Sequence, residues 1–115
     1  ATIGPGCVLY PGVCVGPNAA VGPNCVAYFN TVVHHDTRVG PHSILCAGVC
    51  LAGGVTLGTC VYAGMASAVR DGRSVGDGAL LGMGAVVTRD VAANAVVAGV
   101  PARVMCQNGA PCGSH

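Results

Sequence analysis

The chain has 115 residues, enough for one domain or one piece of a larger one. Hydrophobic residues make up 52% and charged residues 8%, yet no apolar run of ~18 residues occurs that could cross a membrane. The net charge is +1, with no basic stripe and a single Phe, which argues against a nucleic-acid partner.

All five basic residues are Arg, all four acidic ones are Asp, and Lys and Glu are missing. Strong helix formers are therefore scarce, and the abundant Val favours strands. The 19 Gly and 7 Pro are spread evenly and cut the apolar residues into short segments. No charged-apolar-small leader opens the chain, and it begins at Ala1 rather than Met, so the N-terminus is expected to be processed or cut from something longer. Eight cysteines could form a disulfide framework, but there is no Cys-x-x-Cys pair. Most fall in slots that hold small or apolar residues, so reduced thiols in a cytoplasmic protein are expected.

From Ile3 onward every sixth residue is aliphatic, through Leu9, Val15, Val21, Ala27 and Val33 to Leu81 and Val87, without an insertion. Four residues after each lies a second restricted slot, running from Cys7, Val13 and Ala19 to Ala85 and Val91. It is small or β-branched everywhere except at Arg73. Six is not a helical period, because apolar residues on a helix recur at three and four. A two-residue strand followed by a tight turn fits, and three such units close a triangular coil of eighteen residues. The longer period shows as a glycine column at Gly4, Gly22, Gly40, Gly58 and Gly76, the first three followed by Pro5, Pro23 and Pro41. That column predicts a corner whose backbone conformation a Cβ would oppose. The repeat predicts an all-β parallel β-helix of about five coils, roughly 24 Å long. It covers residues 1–104, with a short tail at 105–115. Cys7 and Cys25 stack in one inward column close enough for a bridge, and are expected as core filler.

In the middle of the chain, Val33-His34-His35-Asp36-Thr37-Arg38 keeps its inward slots in register while its other residues are polar. A His beside an Asp supplies a general base with a carboxylate to orient it; a solvated polar corner is the alternative. Further on, Arg70-Asp71-Gly72-Arg73 breaks the small slot and predicts a distorted corner or small loop. Outside the inward slots stand Val8, Cys14, Val26, Val32, Ile44, Cys50, Leu80 and Val86. This apolar surface calls for burial, and a homotrimer is the simplest cyclic association for a triangular prism.

Several segments carry a family resemblance. They are His35-Asp36-Thr37-Arg38-Val39-Gly40, Ala52-Gly53-Gly54-Val55-Thr56-Leu57-Gly58, Leu81-Gly82-Met83-Gly84-Ala85-Val86-Val87-Thr88-Arg89-Asp90-Val91 and Gly99-Val100-Pro101-Ala102-Arg103-Val104. From about Asn30 to Val104 the chain resembles the hexapeptide acyltransferases of the sialic acid O-acetyltransferase and amino-sugar N-acetyltransferase type. The resemblance implies a left-handed helix and transfer of an acetyl group from acetyl-CoA to an amine or hydroxyl of a sugar. His35 would be the general base and Asp36 its partner, while His34 has no matching role. Acetyl-CoA would lie between neighbouring prisms, at positions matching Gly53, Met65 and Met83. A further contact position, often His in relatives, is Ile44. The relatives also carry an N-terminal nucleotide-sugar-binding α/β domain, for which the repeat beginning at Ile3 leaves no room, so either the chain is a fragment or its acceptor differs. No metal is expected. Two other readings remain open: a catalytically silent scaffold, and a γ-type carbonic anhydrase-like zinc protein, whose three histidines would be spread over two coils, whereas His34, His35 and His42 fall within nine residues.

Overall fold

The computed structural model describes residues 1–106, and most of the expected tail lies outside the described residues. Those residues form a left-handed parallel β-helix with no helix anywhere. The first coil holds β1 (Thr2–Ile3), β2 (Val8–Leu9) and β3 (Cys14–Val15), and the second β4 (Ala20–Val21), β5 (Val26–Ala27) and β6 (Val32–Val33). The third holds β7 (Arg38–Val39), β8 (Ile44–Leu45) and β9 (Cys50–Leu51), and the fourth β10 (Thr56–Leu57), β11 (Tyr62–Ala63) and β12 (Ala68–Val69). The fifth holds β13 (Ser74–Val75), β14 (Leu80–Leu81) and β15 (Val86–Val87). After it come β16 (Val96–Ala98) and β17 (Arg103–Cys106).

Every third strand stacks on the same face. Face I is β1-β4-β7-β10-β13, face II is β2-β5-β8-β11-β14-β16-β17, and face III is β3-β6-β9-β12-β15. Pairing is parallel with partners eighteen residues apart, as in Thr2↔Ala20 and Cys14↔Val32. Both inward slots are buried from Ala19 onward except at Arg73, giving a core of Val33, Leu45, Val49, Leu51, Val61 and their neighbours with no side-chain-free channel. Ile3 and Leu9 remain 40% exposed because no coil lies beneath them.

The small inward slot does more than fill space. Thr31, Thr37 and Ser43 each donate to the carbonyl fifteen residues on, at Cys46, Ala52 and Gly58. The thiols of Cys7 and Cys25 do the same toward Gly22 and Gly40, each at 3.1 Å. These two cysteines are therefore free and hydrogen-bonded rather than bridged. Burial pushes the Cys25 thiol above its ordinary pKa. Six described cysteines are free thiols, while Cys106 is disulfide-bonded.

Two expectations are corrected. The column Gly4, Gly22, Gly40, Gly58 and Gly76 does not adopt positive φ. Its glycines are required because the next coil passes too close: a Cβ on Gly4 would stand 2.7 Å from Pro23 N, and one on Gly40 would overlap the Gly58 carbonyl. The left-handed residues lie two positions later in each hexad, at Gly6, Gly12, Asn18, Asn24, Asn30, Asp36, His42 and onward to Gly84. A Pro followed by such a residue, as in Pro5-Gly6 and Pro17-Asn18, matches the two central positions of a type II turn. Second, Arg70–Arg73 is not distorted: Arg73 N closes an ordinary turn on Arg70 O at 3.3 Å, Gly72 takes φ +71°, and β13 follows in register. Arg73 fits an inward slot because it lies near the C-terminal end, where its Nε comes within 3.8 Å of Asp90.

The five expected coils are all present, and a short further turn follows them. Val91 bridges Val75 and β16 pairs with β14, so partners are now sixteen residues apart and the corner at 88–90 is two residues short. The chain then reverses, and β17 runs antiparallel to β16 and carries the body through Met105 to a buried Cys106.

Candidate functional site

His35 and Asp36 are the two central residues of the turn joining β6 on face III to β7 on face I. Asp36 has φ 59°, a conformation that Asn, Asp and Gly tolerate better than other residues. The turn is held on both sides: Asp36 N donates to Pro17 O in the coil before, and His35 O accepts from Gly54 N in the coil after. Thr37 Oγ1 adds a bond to Ala52 O at 3.1 Å from inside.

Within this frame His35 Nδ1 lies 2.9 Å from Asp36 Oδ2, both side chains being well exposed. The carboxylate accepts from Nδ1–H, which leaves the lone pair on Nε2. The ring lies against the bare Cα of Gly53, its atoms occupying the place a Cβ there would take. Gly16 is needed on the other side, where a Cβ would meet His35 N at 2.8 Å. His34 and His35 also border a groove of about 430 Å³ on face III, with Cys14, Gly16, Pro17 and Val32.

The sequence-derived site residues therefore divide into two sets. His35, Asp36 and Gly53 meet on the edge between faces III and I, because 35 and 53 are one coil apart. Met65 and Met83 stack on the edge between faces II and III, and Ile44 lies on face II beside them. One groove, about 330 Å³, is lined by Ile44 and Met65, and a second, about 210 Å³, continues it past Met65 to Met83. Both methionines are unusually exposed, at 51% and 73%. One chain does not bring the two sets together.

The sequence reading missed the aromatic wall of this groove. Tyr10 and Tyr28, eighteen residues apart, stack at 4.8 Å, Phe29 leans on Tyr10, and Tyr62 lines the groove further along. The neighbouring Cys46 pushes the Tyr62 phenol above its ordinary pKa. The signal was available: all four aromatic residues of the chain fall outside the inward slots. Face I is more polar than the other two, with Thr2, Arg38, Thr56 and Ser74 outward.

His42 falls on the edge between faces I and II, away from His34 and His35. Among the described residues no group of three or more His, Cys, Asp or Glu is gathered to hold a metal ion. Nor is any described helix long and apolar enough to cross a membrane.

No protein-family model matches the chain, and comparison with curated proteins finds no match in sequence. Solved structures do match in shape. The acetyltransferase domain of PglB from Neisseria gonorrhoeae superposes with a TM-score of 0.81 at 23% identity, over 90% of this chain and 53% of that one. The fold is that of the hexapeptide-repeat acetyltransferases. LpxA from Acinetobacter baumannii matches at a TM-score of 0.67 and 19% identity, over 89% of this chain and 66% of that one. A mutant GDP-perosamine N-acetyl transferase from Caulobacter crescentus, in complex with CoA and GDP-perosamine, matches at 0.58 and 26%, over 90% and 52%. The PglB domain has also been solved with acetyl coenzyme A. The chain spans about half the length of the PglB and perosamine transferase structures.

Proposed function

We propose that the prism is the acyltransferase domain of an enzyme that moves an acetyl group from acetyl-CoA to an amine or hydroxyl of a sugar. The observation that carries the reading is the His35–Asp36 pair at 2.9 Å, seated over Gly53 with Nε2 making no hydrogen bond. The acceptor lone pair attacks the thioester carbonyl carbon while Nε2 takes the acceptor proton. The tetrahedral intermediate then collapses, the C–S bond breaks, and the imidazolium returns the proton to the departing thiolate. Asp36 holds the ring in the tautomer that leaves Nε2 basic and balances the imidazolium charge. No covalent enzyme intermediate is needed.

The cofactor positions require a second copy. In a homotrimer that sets face I of one prism against face II of the next, the edge bearing His35 and Gly53 meets the neighbour's groove of Ile44, Met65 and Met83. A rotation about an axis parallel to the prism keeps heights, so His35 in coil two and Gly53 in coil three sit beside the groove's start. The groove then leads through coils four and five for the rest of acetyl-CoA. This arrangement joins residues that one chain keeps apart and covers the two exposed methionines.

Thermal melting with and without acetyl-CoA tests the reading, since a ligand that binds only the folded state must raise the midpoint. A midpoint unmoved at millimolar acetyl-CoA leaves the prism a scaffold.

A further inference from the structure

His35 stands on an edge, so two surfaces reach it. The side toward face I is where the proposed trimer brings the cofactor groove. The other side is face III of the same chain, which that trimer leaves open, and there His34 and His35 form one wall of the 430 Å³ groove. Its volume lies within the roughly 300–1,000 Å³ that holds small molecules. Its floor is apolar, made by the outward side chains of Cys14 and Val32, which pair across β3 and β6. The close approach permitted by Gly16 fixes the histidine wall above that floor. Cys14 and His34 are both exposed, and His34 contributes nothing to the turn beyond its backbone bond to Leu51.

We infer that this groove is the acceptor subsite, that it takes a hexopyranose ring, and that His34 sets specificity by hydrogen-bonding a ring hydroxyl. The inference rests on the acetyltransferase reading. A pyranose has an apolar C–H face that suits the Cys14–Val32 floor and a hydroxylated rim that needs a polar partner at the wall. His34 is the polar side chain there besides the base. The ring's reacting amine or hydroxyl lies at the His35 end, on the opposite side of the imidazole edge from the thioester. Base, acceptor and donor then converge without competing for one groove. His35 is the catalytic residue, while His34 binds the part of the acceptor that does not react.

Cys14 is a reporter inside the groove, and Cys50, half-buried on the same open face two coils further along, is a control. The full chain would be treated with N-ethylmaleimide while a panel of amino-hexopyranosides or acetyl-CoA is titrated in, and each site followed by peptide mass spectrometry. At about ten times its dissociation constant a sugar seated in the groove slows Cys14 alkylation about tenfold by occupancy. It leaves Cys50 unchanged, and acetyl-CoA does not protect Cys14. In steady-state assays His34→Ala raises the acceptor KM about tenfold, the effect of losing one hydrogen bond of ~1.4 kcal/mol. The acetyl-CoA KM and kcat stay within twofold, and His34→Gln recovers much of the loss. Protection of Cys14 by acetyl-CoA but not by sugars would overturn the assignment and make face III the donor channel. Protection by neither, with turnover intact, would overturn it too. Loss of kcat rather than KM in His34→Ala would move His34 into the chemistry. A chain that acetyl-CoA neither stabilises nor acetylates through, yet whose Cys14 is shielded by sugars, fails only the transferase reading and keeps the saccharide site.

Discussion

The imidazole of His35 lies where a side chain at position 53 would begin. Gly53 is one coil above, in the same column, and its lack of a Cβ lets the ring settle against the prism. Gly53→Ala should therefore displace His35 without unfolding the chain, since Gly53 itself does not take positive φ. Misplacing a catalytic group by about an ångström can cost ~10²-fold. The expectation is a turnover loss of that order with a melting temperature within a few degrees of wild type. Undiminished turnover in Gly53→Ala would mean the ring's seat is irrelevant to catalysis.

Removing the proposed base should cost more. His35→Ala is expected to lose about 10²–10⁴-fold in turnover, the range for a general base, with acetyl-CoA binding little changed. Asp36 serves both the imidazole and the turn, and two substitutions separate the roles. Asn keeps the left-handed conformation, as Asn18, Asn24 and Asn30 do at equivalent corners, so Asp36→Asn should lower turnover less than His35→Ala and leave stability near wild type. Asp36→Ala should add a stability loss of about 1 kcal/mol from backbone strain. Chemical denaturation beside single-turnover rates distinguishes them, and equal stability in both variants would refute the turn role.

Two backbone substitutions should act in opposite directions. Gly40→Val would drive a branched Cβ into the Gly58 carbonyl and should unfold or severely destabilise the prism. Ala66 has φ 60°, an unfavourable conformation for Ala, at a corner column filled elsewhere mainly by Gly and Asn. Ala66→Asn should stabilise by up to about 1 kcal/mol, visible as a higher melting temperature. A wild-type melt for Gly40→Val would contradict the coil stacking described above.

The buried hydroxyls offer a matched pair. Ser43 Oγ donates to Gly58 O and accepts from Val61 N, so Ser43→Ala leaves two backbone groups short of a partner and should cost about 1–3 kcal/mol. Ser67 Oγ is equally buried but has no partner, so Ser67→Ala should be neutral or slightly stabilising. Urea unfolding midpoints compare the two, and equal losses would show that the hydroxyl ladder adds nothing beyond packing.

Association should be threefold. Light scattering at micromolar concentration is expected to give three times the chain mass. Ile44→Asp, which puts a charge on the half-buried apolar groove of face II, should shift the population toward monomer and abolish turnover together. A stable wild-type monomer would remove the shared site.

The hexad register by itself determined the coil, its eighteen-residue period, the two inward columns and, from residue numbers alone, the edge and height of every residue up to Val87. It could do so because a side chain pointing inward in a narrow prism must be small or aliphatic, and polar groups there are tolerated only with a partner such as the carbonyl fifteen residues on. His35 and Asp36 were legible as a chemical pair for the same reason: they interrupt an otherwise apolar pattern without breaking its register. The sequence misled where two causes leave one mark. A recurring glycine can mean a left-handed backbone or a close approach, and Gly4 through Gly76 mark the second while Asp36, His42 and their column bear the first. Arg73 looked like a disruption because a pattern does not say how near the open end a slot lies. Only the tertiary structure decided that His35 rests on Gly53, that the final corner is two residues short, and that His34 walls a groove with Cys14. Only it showed, too, that Ile44, Met65 and Met83 line one continuous groove. Those are facts of three-dimensional adjacency between coils, set by how side chains fill the space above and below a turn, and a one-dimensional period specifies which residues are neighbours without specifying what lies between them.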